Sequence, residues 1–158
     1  MNNSLILLDE YLLKKNVKNS DDSERFEFLM LSEILKSYGL SEGEIKSGIV
    51  DGGDDGGIDA FYTFVNGNLI QEDFQNLVKS HAKIEVHIFT SKYNNTFILH
   101  PLESIDSSIS ELFDLSIEAN DLTSKFNEKL IKQREIFHRV YRNLILDCNL
   151  DVYYYYFS

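Results

Sequence analysis

The stretch Asp51-Gly-Gly-Asp54-Asp55-Gly-Gly-Ile58-Asp59 constrains the fold of this 158-residue chain more than any other. Glycine reaches backbone angles closed to other residues and weakens helices and strands alike, so Gly48–Gly57 reads as a tight acidic loop between regular elements. Calcium is the first ligand to test against it. An EF-hand loop starting at Asp51 needs an oxygen ligand at its third position and a bidentate glutamate at its twelfth, where Gly53 and Tyr62 stand. A single glycine-aspartate nonapeptide also makes no β-helix, which requires several stacked turns.

Helical patterns dominate before the loop. Ser4 is placed to cap a short helix over 5–15, and the polar run 16–22 reads as a linker. Phe26, Leu29, Met30, Ile34, Leu35 and Tyr38 recur with the 3.6-residue period of a core-facing helix from Ser23, stopped by Gly39, and Ser41 opens a short helix through Lys46. Strands follow the loop. Ile58–Val65 is aromatic and β-branched, and Asn66-Gly67-Asn68 is a hairpin turn leading into Leu69-Ile70. Residues 71–80 have helical spacing. Ile84–Tyr93 is the clearest strand, with Val86, Ile88, Thr90 and Lys92 on one face and Glu85, His87, Phe89 and Ser91 on the other. Helices are expected over 103–118 and 122–147, and Asp151–Phe157 is a last, very aromatic strand that would make a sticky sheet edge unless paired. The order suggests an α/β or α+β layer, with helices covering a small mixed sheet.

Composition narrows the function classes. With 43% hydrophobic residues the chain has the apolar content of a folded domain, and its length suits one domain. Its single cysteine, Cys148, forms no internal disulfide and is read as packing after a helix end. The absence of a signal pattern or a long apolar run argues for a cytoplasmic protein with no membrane partner. A formal net charge of -11 has the wrong sign for holding nucleic acid by bulk electrostatics. One local exception is Lys125, Lys129, Lys132, Arg134, Arg139 and Arg142, a basic segment able to track a phosphate backbone. Its plainer reading is a solvated helix face with Glu128–Lys132 and Glu135–Arg139 pairs.

Two residues stand out chemically. Asp59 opens an apolar strand, where a carboxylate needs a cation or a metal, and Lys92 ends the best strand on the face of Val86 and Ile88. If the strands are neighbours, the two charges converge at one sheet end. An aspartate holding a hard cation beside a lysine that stabilises a charged transition state serves phosphodiester cleavage, while the plainer alternative is an ion pair. His81, His87, His100 and His138 show no metal-ligand spacing. The tyrosines 153–156 offer stacking surfaces, although half of a strand's side chains face the core.

Glu24-Arg-Phe-Glu27-Phe, the segment Asp51–Tyr62 with its Gly57-Ile-Asp59-Ala, and Ile88-Phe-Thr90-Ser-Lys92-Tyr together resemble the amino-terminal region of the AIPR (abortive infection phage resistance) proteins, over roughly residues 23–157. That region is similar to the PD-(D/E)XK, restriction-endonuclease-like nucleases of the Mrr type. The resemblance implies an α/β, restriction-endonuclease-like fold over 23–158, in the amino-terminal part of a longer protein, with 1–22 as a preceding helix and linker. It implies Mg²⁺- or Mn²⁺-dependent cleavage of DNA in anti-phage defence, with Asp59 as metal-binding aspartate, Lys92 as catalytic lysine and Glu27 as an added helix glutamate. Asp55 and the Ser91 carbonyl are further candidate ligands. Thr90 departs from the family's Gln or Glu, and Glu85 cannot replace it because an odd number of residues puts it on the opposite face. The alternative is a catalytically inactive sensor or interaction module that docks a phage-derived trigger, a partner protein or a second copy of itself.

Overall fold

The computed structural model describes residues 22–54, 56–72, 81–91, 100–144 and 147–157. The expected helix over 5–15 and the body of the 71–80 segment lie outside these residues, as do Asp55 and Lys92. The elements run α1 (Asp22–Ile34), a 3₁₀ turn (Leu35–Tyr38), α2 (Glu42–Ser47), β1 (Ala60–Val65), β2 (Asn68–Leu69), β3 (Ala82–Ser91), α3 (His100–Leu112), α4 (Ala119–Leu122), α5 (Glu128–Leu144) and β4 (Cys148–Phe157). They form a mixed α/β unit whose four-stranded sheet has the order β2-β1-β3-β4.

Local chemistry explains most boundaries. Gly39 ends the first helical stretch in the left-handed region, at φ 67°. Ser41 caps α2 with a reciprocal capping box, its hydroxyl accepting from the Glu44 N–H while the Glu44 carboxylate accepts from the Ser41 N–H. Asn66 and Gly67, both at positive φ, turn β1 into β2. The two carboxyl-terminal helices are shorter than their apolar periodicity suggests. After α3, the Asp114 carboxylate accepts the Ser116 N–H at 2.9 Å and its hydroxyl at 2.6 Å, a local turn that competes with further helix. Likewise Asn127 caps α5, accepting the Leu130 N–H at 2.8 Å, so residues 123–127 are turns rather than the start of a 26-residue helix.

The sheet is covered on both faces at β1 and β3. One face, with Phe61, Val65, Ile84, Val86 and Ile88, packs under Leu130, Phe137, Val140 and Leu144 of α5. On the other, Ala60, Tyr62, Phe64 and Phe89 pack against Leu31, Leu35 and Ile45. All six residues of β1 are buried, which explains its continuous apolar run. Gly48 lets α2 approach this sheet, since a Cβ there would lie 2.1 Å from the Tyr62 ring.

β1 and β3 are antiparallel neighbours, with Ala60 opposite Phe89 and Val65 opposite Ile84. β4 runs parallel to β3, from Cys148 beside Ala82 to Phe157 beside Ser91. A parallel pair needs a crossover, and α3, α4 and α5 provide it. The last strand begins at Cys148 rather than Asp151, and Cys148 packs against the core there, after the helix as expected.

Candidate active site at the β1–β3 sheet end

The register makes Asp59 and Thr90 neighbours. Extending the β1–β3 ladder by one step would set them directly opposite each other, but the Asp59 N–H instead donates to the Phe89 carbonyl at 2.8 Å. Phe89 already faces Ala60, so the ladder carries a bulge-like step at Asp59. Its carbonyl accepts the Val50 N–H at 2.8 Å, and the residue is only 8% exposed. The start of β1 is thus held from both sides.

The glycine loop is clamped rather than loose. The fully buried Thr90 donates its hydroxyl to the Gly57 carbonyl at 2.6 Å, and Ser108 of α3 donates to the Gly56 carbonyl at 2.9 Å. Asn127 holds three further points: its side-chain amide donates to the Val50 and Gly53 carbonyls, both at 2.8 Å, and its N–H donates to the Asp54 carbonyl at 2.7 Å. Gly56 must be glycine, because φ is +64° and a Cβ would sit 2.6 Å from the Ser108 hydroxyl. Asn127 and Ser108 were not singled out by sequence reasoning. An asparagine just before Glu128 and the apolar Leu130 is a helix-cap signal for one of Asn127's roles, but its grip on the loop reaches residues more than 70 positions back in the chain.

Glu27 comes from α1. It is buried on α1, the helix whose apolar residues pack on the Tyr62 face, and the phenol of Tyr62 is pushed well up by burial and by the Glu27 charge. A cleft of about 300 Å³ opens beside it, lined by Glu24, Glu27, Phe28, Lys46, Ile49, Asp51 and Lys129. Lys129 thereby places the start of α5 against the acids of α1 and the loop. The backbone between Ile49 and Asp51 also ties this cleft to Asp59.

A hard divalent ion requires several oxygen ligands. Among the described residues no three His, Cys, Asp or Glu side chains gather into such a group. Asp59 fits one ligand position, whereas the Thr90 hydroxyl is committed to Gly57. Asp55 and Lys92 lie outside the described residues. Ser91 closes β3 beside Phe157 and contributes backbone at the same sheet end.

The basic segment does not form one face. Arg134 corrects the expectation most sharply: it is fully buried, donating to the carbonyls of Leu112 at 3.0 Å, Asp114 at 2.9 Å and Ile117 at 2.6 Å, and pairing with Glu135 at 2.7 Å. Lys125 pairs with Glu111 and Lys132 with Glu72, while Arg142 donates to the Leu115 carbonyl. Arg139 lies on the same helix. Lys132 therefore reaches across to the β2 side rather than along its own helix to Glu128.

A second polar cluster lies on the opposite sheet face, as parity requires of Glu85. The Tyr38 hydroxyl donates to Glu85 at 2.5 Å and lies 3.1 Å from His87 Nε2, and His87 Nδ1 lies 3.1 Å from the Tyr155 hydroxyl. Burial opposes ionisation of Glu85, but Tyr38, Lys83 and His87 together hold its carboxyl below the usual range. Burial lowers His87, partly countered by Glu85. No family model, curated protein or solved structure compared with this chain matches it.

Proposed function

We propose that this chain is a restriction-endonuclease-like domain of anti-phage defence that hydrolyses DNA phosphodiesters with Mg²⁺ or Mn²⁺ in the cytoplasm. One observation carries the reading: antiparallel pairing of β1 and β3 sets Asp59 and Thr90 at one sheet end, and Thr90 stands two residues before Lys92 in sequence. No described helix is long and apolar enough to cross a membrane. Asp59 is the proposed first metal ligand, and Glu27, Asp55 and the Ser91 carbonyl are the proposed further donors. When bound, the ion would acidify a water and offset charge developing at phosphorus. Lys92 is proposed to stabilise that charge. The clamp on Gly53, Gly56 and Gly57 supports the reading, since a positioned backbone holds ligands without reorganisation during reaction.

The test is cleavage of single- and double-stranded DNA by the purified protein with and without Mn²⁺ or Mg²⁺. Cleavage should require the metal and vanish in both Asp59→Ala and Lys92→Ala. Unchanged cleavage by either variant would sink the assignment.

One observation favours a second reading, a nuclease-like module without catalysis. The Thr90 side chain, at the position where the resemblance implies Gln or Glu, is spent on anchoring Gly57. Calorimetry showing no divalent-ion binding, with an inert Thr90→Gln variant, would select this reading. Cleavage gained in Thr90→Gln would return the domain to the enzymes.

A further inference from the structure

The large hydrophobic side chains that stand exposed among the described residues, Val152, Tyr153 and Tyr154, all lie in β4, at 45%, 36% and 39% exposure. β4 is also the edge of the sheet, and no described strand pairs with its outer side. Edge strands are ordinarily protected by lysine, proline or a bulge. β4 has none of these: its ladder with β3 is continuous over ten residues, and its one charged residue is Asp151.

The ladder identifies which backbone groups face outward. The Ala82 N–H donates to the Asp147 carbonyl at 3.3 Å, and Ala82 is paired with Cys148. In a parallel ladder alternate residues of a strand bond the same neighbour, so Asp147, Asn149, Asp151 and Tyr153 turn their backbone groups toward β3. Leu150, Val152 and Tyr154 turn theirs away from it.

We propose that β4 is a homotypic docking edge, pairing antiparallel with β4 of a second copy about a two-fold axis at Val152. An antiparallel register that sets outward groups opposite outward groups lets the same strand satisfy itself, and centring it on Val152 pairs Leu150, Val152 and Tyr154 among themselves. Val152 then exchanges two hydrogen bonds with its twin, and Leu150 and Tyr154 exchange two with Tyr154 and Leu150 of the other copy. The charges agree with this register. Asp151 falls opposite the partner's uncharged Tyr153 rather than opposite its own twin, avoiding the like-charge pair that would weaken the contact. The exposed Val152 side chains cover each other, and Tyr154 covers Leu150. A foreign peptide would satisfy the same backbone groups, but the self-pair also covers all three exposed side chains with residues of this strand. The result is a continuous eight-stranded sheet.

Sedimentation of the 158-residue protein across a concentration series tests this. The parent should pass from monomer to dimer. Val152→Lys and Val152→Glu should each weaken the dimer about fivefold or more by setting like charges face to face, and mixing the two variants in equal amounts should restore it. Circular dichroism on each variant confirms the fold, and the mixture separates interface loss from misfolding, since misfolded chains would not recover. A parent that stays monomeric at every concentration, or a dimer unaffected by either variant, would overturn the proposal. So would two weakened variants whose mixture fails to dimerise; a monomeric parent would leave the edge to a strand from another protein.

Discussion

Arg134 shows how far a side chain's surroundings can depart from its type. A guanidinium is among the costliest groups to bury, yet this one is enclosed because its planar fork meets carbonyls left open at the end of α3 and in the turn after it. Removing it strands those acceptors without water. Arg134→Met should destabilise the protein by about 3 kcal/mol in urea unfolding, and Arg134→Lys should recover only part, because an ammonium lacks the fork. The periodicity of residues 122–147 marked Arg134 as one more cation on a helix face. Its burial depends on where Leu112 and Ile117 come to rest, and no local pattern encodes that. Thr90 teaches a related lesson. Its sequence position marks a weak ligand, while in the fold its hydroxyl is a loop anchor.

Among the elements, the acidic loop and α5 behave as one unit through Asn127. The same side chain caps the helix with its oxygen and holds Val50 and Gly53 with its nitrogen. Asn127→Ala should cost about 2 kcal/mol through lost capping and unpaired carbonyls. Amide exchange should then accelerate in residues 51–57 far more than in β3, whose ladder is untouched. Equal acceleration in both would show that the loop is held by other means. Asn127→Asp separates the two roles, since a carboxylate keeps the cap but donates nothing to the loop. The strands β1 and β3 were legible because their runs are apolar and bounded by glycine, histidine or asparagine. The short α3 and α5 were not, since Asp114 and Asn127 interrupt apolar patterns that continue past them.

For the molecule as a whole, the buried histidines make cooperative stability depend on pH. Burial lowers His87, and burial together with the Arg134 charge lowers His138, so the unfolded chain binds protons that the folded chain refuses. Stability should therefore fall as pH drops below the ordinary histidine range, near 6.5. The depressed Glu85 carboxyl adds a loss of the same sign at lower pH, as it protonates below its unfolded range. Urea midpoints measured from pH 7.5 to 5 should decline, and His87→Gln should flatten the upper part of that decline without abolishing it, because His138 remains. A parent midpoint independent of pH would contradict this assignment. By itself the sequence determined the quantities that depend on near neighbours: the acidic turn, the hairpin at Asn66-Gly67, the helix start at Ser41, the faces of β3 and the exclusion of Glu85 from the Thr90 side. Those follow from backbone angles and from the two-residue period of a strand. Only the tertiary structure decided that β1 neighbours β3, that the ladder steps at Asp59, that Arg134 turns inward and that β4 forms an edge. Each of these joins residues far apart in the chain, and such contacts are selected by how two sheet faces are covered together rather than by local preference.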